Sequence, residues 1–112
     1  MSAPRLDRAL VLEQAEREAD GAGGHALNWV ALGTLWGDVK PGTGRERAGE
    51  FVTLATVPYR ITVRAAPVGS PSRPRPEQRL REGSRVFRIL AVSEADRAGL
   101  YLTCFAQEEV VA

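Results

Sequence analysis

Seven residues, Tyr59-Arg-Ile-Thr-Val-Arg-Ala65, constrain the fold more than any other stretch of the chain. Tyr59, Ile61, Val63 and Ala65 alternate with Arg60, Thr62 and Arg64, so an extended backbone puts the apolar side chains on one face and the polar ones on the other. The same period recurs over 27–39, where Trp29, Ala31, Gly33, Leu35, Gly37 and Val39 share a face. Trp29 and Trp36 then fall on opposite faces unless a bulge intervenes, which Gly33 or Gly37 would supply. For both tryptophans, core or interface packing is a better reading than stacking on nucleic-acid bases. Arg85-Val-Phe-Arg-Ile-Leu-Ala-Val92 reads as a strand, preceded by a short strand at 78–82 and a tight turn at Glu82-Gly83-Ser84. Leu100 to Gln107 reads as the last strand, with Leu100, Leu102 and Cys104 opposite Tyr101, Thr103 and Phe105.

The first apolar segment, 6–17, is ambiguous. Its Ala, Leu, Glu, Gln and Arg favour a helix, whereas Leu10 and Leu12 alternate as in a strand. Asp20-Gly-Ala-Gly-Gly24 is a turn, and His25 beside it reads as a solvated loop residue. Two stretches break the strand pattern. Residues 40–50 are polar and Gly-rich, compatible with one helical turn after Thr43, and 51–57 extend the next strand or form a short helix. Residues 66–76 hold Pro67, Pro71, Pro74 and Pro76, so they stay out of any sheet ladder and read as an extended, solvated excursion of polyproline character. Five or six short strands with turns between them predict a mainly β fold: a small antiparallel β-barrel (or sandwich) with long loops and at most one short helix. The 112 residues amount to one domain.

Little here resembles catalytic equipment. There is one Cys and one His, too few for a cysteine zinc site or an internal disulfide. Cys104 sits in an apolar run and reads as a small buried hydrophobe. Phosphate-loop, dinucleotide-binding, zinc-protease and nucleophile-elbow motifs are all missing from the sequence. Gly42-Thr-Gly44 lacks the spacing and lysine of a phosphate loop. Neither a signal peptide nor a membrane-length apolar stretch is present, which predicts a protein made and kept in a reducing cytoplasm, and the missing motifs and scattered carboxylates predict no enzymatic activity and no cofactor.

The net charge is +1, yet it is unevenly spread. Residues 60–88 carry eight arginines against Glu77 and Glu82, whereas 1–59 and 89–112 are both acidic on balance. Phosphate contacts from such a segment would be salt-dependent and blind to sequence. The plain alternative is a solvated loop pairing with acidic neighbours, and 14 of the 15 basic residues being Arg is also what a GC-rich coding bias gives.

The order of features has a counterpart. Arg5-Leu-Asp-Arg8 leads into Leu10 and Leu12. A Gly-containing turn precedes Trp29, followed by Leu35-Trp36-Gly37-Asp38-Val39, Pro41 and Gly44-Arg-Glu46. Then come Tyr59-Arg-Ile-Thr-Val-Arg64, Gly83, Val86-Phe-Arg-Ile89, Val92 and Leu100-Tyr-Leu-Thr-Cys104. This ordered set resembles the head–tail joining proteins, also called head-closure or stopper proteins, of long-tailed phages and phage-like gene transfer agents. The resemblance spans nearly the whole chain, with a longer Pro/Arg insert at 67–76 and a more Ala/Glu-rich first strand than expected.

The resemblance implies a non-catalytic β-barrel over 1–112, with loop excursions near 40–58 and 66–78, and it turns 6–17 into a strand. It implies a homo-oligomeric ring, six copies by analogy, in the particle neck. An adaptor ring would lie on the portal side and a tail terminator or tube ring on the other. The ring would close the head channel after packaging, near double-stranded DNA and away from any membrane. Arg45 and Arg47 in the first loop, and Arg73, Arg75, Arg79 and Arg81 in and after the second, are the candidate contacts to DNA or to neighbouring rings. The alternatives are a tail terminator or another neck ring protein, or a small nucleic-acid-binding barrel.

Overall fold

The computed structural model describes residues 3–19, 21–42 and 56–109. They form six strands: β1 (Arg8–Ala19), β2 (His25–Pro41), β3 (Thr56–Arg64), β4 (Arg79–Glu82), β5 (Arg85–Glu94) and β6 (Tyr101–Glu109). All neighbours are antiparallel, and the sheet closes on itself in the order β1-β2-β3-β6-β5-β4. The closing seam is short: β4 meets β1 only through Arg81, Leu80 and Arg79, opposite Val11, Leu12 and Glu13. The result is an irregular barrel. No helix occurs among the described residues.

Alternation builds the interior as the sequence requires. Leu10 and Leu12 from β1, Ile61 and Val63 from β3, Leu80 from β4, Phe87 and Ile89 from β5, and Leu102, Cys104 and Ala106 from β6 form one buried cluster. The segment 6–17 is a strand from Arg8 onward, against its helical propensity. Pairing on both edges and the burial of Leu10 and Leu12 at 0 % exposure outweigh an intrinsic preference of a few tenths of a kcal/mol per residue.

The register between β1 and β2 shifts at one point. Leu12 pairs with Gly33, but Glu13 pairs with Ala31, leaving Leu32 as the extra residue of a bulge. Gly33 sits there at φ +147°, a conformation few other residues adopt. The bulge reverses the facing of β2. Leu35 and Val39 pack on the core, while Trp29 pairs with Ala15 and Trp36 with Ala9, both on the outer side of β1. The two tryptophans therefore share the outer face. A second shift at Leu90 in β5 turns that leucine outward, 45 % exposed, and hands the inward place to Val92.

Gly37 has a different role. A Cβ there would lie 2.8 Å from Leu10 Cδ1 and 3.3 Å from Ile61 Cγ2. Gly37→Ala is expected to force Leu10 off its rotamer and cost about 1–3 kcal/mol, read as a lower denaturation midpoint with unchanged slope.

The segment after β3 stays out of the sheet and is largely exposed, but it is not extended. Turns closed by Ser70 N to Pro67 O, Arg73 N to Ser70 O and Gln78 N to Arg75 O fold it back on the barrel, and Pro74 is fully buried. The physical reason is the open seam. β1 loses its β4 neighbour after Glu13, so apolar residues such as Leu32 and Val92 need a cover, and prolines provide one without leaving N–H donors unsatisfied.

Candidate functional site

At the β1–β4 seam, Arg79 and Arg81 project from the same side of β4 as Glu13 does from β1. Arg79 Nε donates to Glu13 Oε1 at 2.6 Å and Arg81 Nε to Oε2 at 2.9 Å. The Arg79 guanidinium also lies 4.1 Å from the Trp29 ring centroid, a cation–π contact. Glu13 is only 5 % exposed. Burial alone would raise its carboxyl pKa, but the two guanidinium hydrogen bonds outweigh burial and hold it below the usual range.

One barrel mouth is plugged by charge. Arg8 donates through Nε and Nη2 to both Glu82 oxygens. Arg85 donates to both Glu108 oxygens, at 2.7 and 3.1 Å, and to Tyr59 Oη at 3.2 Å. Its guanidinium lies 4.9 Å from the Phe87 centroid, and Phe87 meets Tyr59 edge-on at 5.2 Å. These hydrogen bonds hold the Glu82 and Glu108 carboxyls below their ordinary range and raise the pKa of Arg8 and Arg85.

The other mouth is closed by the Pro/Arg segment. Gln78, 4 % exposed, accepts from Arg75 N at 2.8 Å and donates to Gln14 Oε1 at 3.1 Å. Arg75 Nη2 reaches the same Gln14 oxygen at 2.8 Å.

The candidate arginines thus separate by place. Arg45 and Arg47 lie outside the described residues. Arg75, Arg79 and Arg81 gather around Glu13 and Gln14 of β1. Arg73 stands apart, its Nη1 donating to Ala66 O at 2.9 Å. Of these four, Arg73 and Arg75 have no carboxylate partner among the described residues, while Arg79 and Arg81 are tied into the barrel wall. Within the chain, Arg79, Arg81, Arg85 and Arg88 are paired with Glu13, Glu108, Glu82 and Glu77, of which only Glu13 and Glu108 come from outside 60–88, so the segment keeps an excess of positive charge.

Sequence reading missed three outer features. Trp36 is 56 % exposed, beside Leu6 and Arg64 in a shallow pocket. Phe105 pairs with Arg60 on one side and Ala91 on the other, with Leu90 adjacent, an apolar patch edged by cations. The end of the β1–β2 hairpin, Glu16–Ala19 paired with His25–Asn28, is exposed on both faces. His25 is solvated as expected, though it opens β2. Bulge positions carry no sequence signal beyond Gly33, so neither Trp36 nor Leu90 was legible as outward.

Among the described residues there is no group of three potential metal ligands. The Cys104 thiol is fully buried and burial pushes its pKa up to about 12, so it is a packing residue and not a nucleophile.

The three depressed carboxyls set an acid response. Unfolded glutamates titrate at about 4.3. In the folded chain Glu13, Glu82 and Glu108 bind protons less readily, so below that value the unfolded state takes up more protons and stability drops with pH. The melting temperature is expected to hold from pH 7 to about 5 and to fall below it, and the double variant Glu82→Gln/Glu108→Gln should show a shallower fall.

A closed, internally ion-paired antiparallel sheet of six strands places the described residues in the class of small all-β proteins. The sequence matches the phage head completion protein family over residues 1–109, and the chain belongs to that family of structural virion proteins. A chain from the virion of a native gene transfer agent particle is 69 % identical, with a TM-score of 0.80, the match covering 98 % of this chain and 100 % of that one. Protein SF1141 of Shigella flexneri 2a, at 22 % identity, shares the fold, with a TM-score of 0.67 over 96 % of each chain. No curated protein sequence gives a significant match.

Proposed function

We propose that this chain is a non-enzymatic neck protein of a phage-like gene transfer particle. Copies, six by analogy, form a ring that closes the head channel after packaging and joins head to tail. The observation that carries the reading is the 69 % identity, over essentially the full length of both chains, to a chain of a native gene transfer agent virion, together with membership of the head completion family. The architecture suits the task. A ring subunit under pressure from packaged DNA needs a wall that does not deform. A closed sheet braced at one mouth by the Arg8–Glu82 and Arg85–Glu108 pairs and packed at the other against the Pro74 segment suits such a wall.

In this reading an adaptor ring lies on one side and a tail terminator or tube ring on the other. Of the four described candidate arginines, Arg73 and Arg75 are the ones left to reach DNA or an acidic ring surface, because neither has a carboxylate partner among the described residues. Electron microscopy of particles from a host lacking the gene tests the function. Free tails beside emptied heads are expected; normally tailed particles would overturn it. A deletion of 70–76 tests the arginine segment separately, through DNA retention and tail joining.

A further inference from the structure

The end of the β1–β2 hairpin is built against its own sequence. Glu13-Gln-Ala-Glu-Arg-Glu-Ala19 has a helix former's composition, yet it lies in a strand. From Glu16 to Ala19 it pairs only with Asn28 to His25, exposed on both faces, and projects roughly 14 Å at 3.4 Å per residue. A two-stranded ribbon in water is marginal at best, and a local preference at odds with the fold marks a place where function sets the conformation. Register divides the ribbon into two faces. Glu16 and Glu18 share one with Asn28; Arg17 and Leu27, 62 % exposed, share the other.

The closed sheet offers a matching surface. Lys40, Arg60, Phe105 and Ala91 are cross-strand neighbours in one outer row running over β2, β3, β6 and β5. Arg60 is exposed and has no carboxylate partner among the described residues. Lys40, 70 % exposed at its side chain, has among the described residues only a 3.8 Å pairing to Asp38. Phe105 and Leu90 beside them are 39 % and 45 % exposed. Two cations on adjacent strands, about 5 Å apart, face two carboxylates about 7 Å apart along one strand, a gap that side chains of this length close. In a six-stranded closed order, β3 and β6 lie opposite β4 and β1. Lys40 lies at the far end of β2 from Asn28, so the arm and the cationic row are separate patches of the chain, as a head-to-tail contact that closes by rotation requires.

We infer that the β1–β2 arm of one copy docks, through Glu16 and Glu18, on the Arg60–Lys40–Phe105 row of a second copy of this chain. The inference rests on the reading that copies assemble side by side in the particle. Charge reversal tests it in particles. The variant Glu16→Arg/Glu18→Arg is expected to lower the yield of tailed particles at least tenfold, as is Arg60→Glu/Lys40→Glu. The four changes together are expected to restore the yield to within about threefold of the parent. Parental yield from either double variant, or no restoration in the combination, would overturn it. All four side chains are solvated, and melting of each purified variant within a few degrees of the parent confirms folding.

Independently of yield, Glu18→Cys with Arg60→Cys should give a disulfide-linked ladder from oxidised particles, since buried Cys104 takes no part. Monomer alone would overturn the inference. If gene deletion separates heads from tails while these tests fail, the neck role stands and only the docking surface is wrong. Normal particles after deletion would remove both.

Discussion

Phe87→Ala lowers stability by about 3–5 kcal/mol, the usual cost of emptying a fully buried aromatic site. Phe87 is at 0 % exposure, edge-on to Tyr59 and beneath the Arg85 guanidinium. Removing the ring leaves a cavity inside a closed sheet whose strands cannot collapse inward independently, because each is hydrogen-bonded to neighbours on both sides. It also takes away the surface on which Arg85 rests while it holds Glu108. For a chain of this size a kcal/mol is worth roughly 4 °C, so the melting temperature should fall by roughly 12–20 °C. A fall of less than about 4 °C would show that the barrel interior is not packed as described. Phe87→Leu, which keeps most of the volume, should recover more than half of the loss.

Glu13→Ala is the second large effect and has a different origin. The substitution leaves Arg79 and Arg81 side by side with no counter-charge, at a position where the carboxylate was almost wholly buried. Breaking a buried pair typically costs about 3–5 kcal/mol. Here the arginine side chains keep 21 % and 39 % of their exposure and can turn toward water, so about 2 kcal/mol is expected. The pair is also the closing seam of the barrel, so amide exchange should quicken in β4 before it does in β3. A double-mutant cycle of Glu13→Ala with Arg79→Ala should give a coupling of about 1 kcal/mol or more. By contrast Glu77→Ala, which breaks an exposed pair with Arg88 at 50 % and 75 % side-chain exposure, should change stability by no more than about 0.5 kcal/mol.

Much of the outer and inner faces was legible from alternation alone. Tyr59, Ile61 and Val63, and Leu102 with Cys104, stand on the core side as their two-residue period demands. Gly83, at φ +60° in a two-residue turn, closes the β4–β5 hairpin where the sequence placed it. Segment 6–17 could not be settled this way, because its composition and its Leu10–Leu12 alternation point to different structures; the family resemblance decided it correctly. The Pro/Arg segment stands out of the sheet and is largely exposed, as its prolines predict, but its return to the barrel to bury Pro74 is not legible in the sequence. The surface that buries Pro74 comes from β1, β2 and β5, distant in sequence, and no local rule anticipates a gap in a seam.

The sequence by itself therefore determined the strands after the first, the inward residues within each unbroken strand, the unreactive character of Cys104 and the shortage of catalytic groups. Those properties follow from side-chain period and composition, which act over a few residues. Tertiary structure decided that a bulge forms beside Gly33 and not at Gly37, and so that Trp29 and Trp36 share the outer face, and it placed the second bulge at Leu90. It also decided which acids pair with arginines of 60–88, and that the hairpin end stands free. The reason is physical: an ion pair such as Arg79–Glu13, 66 residues apart, or a register shift at Leu32, depends on how a closed sheet brings distant strands together, and its free energy is set by the burial it finds there.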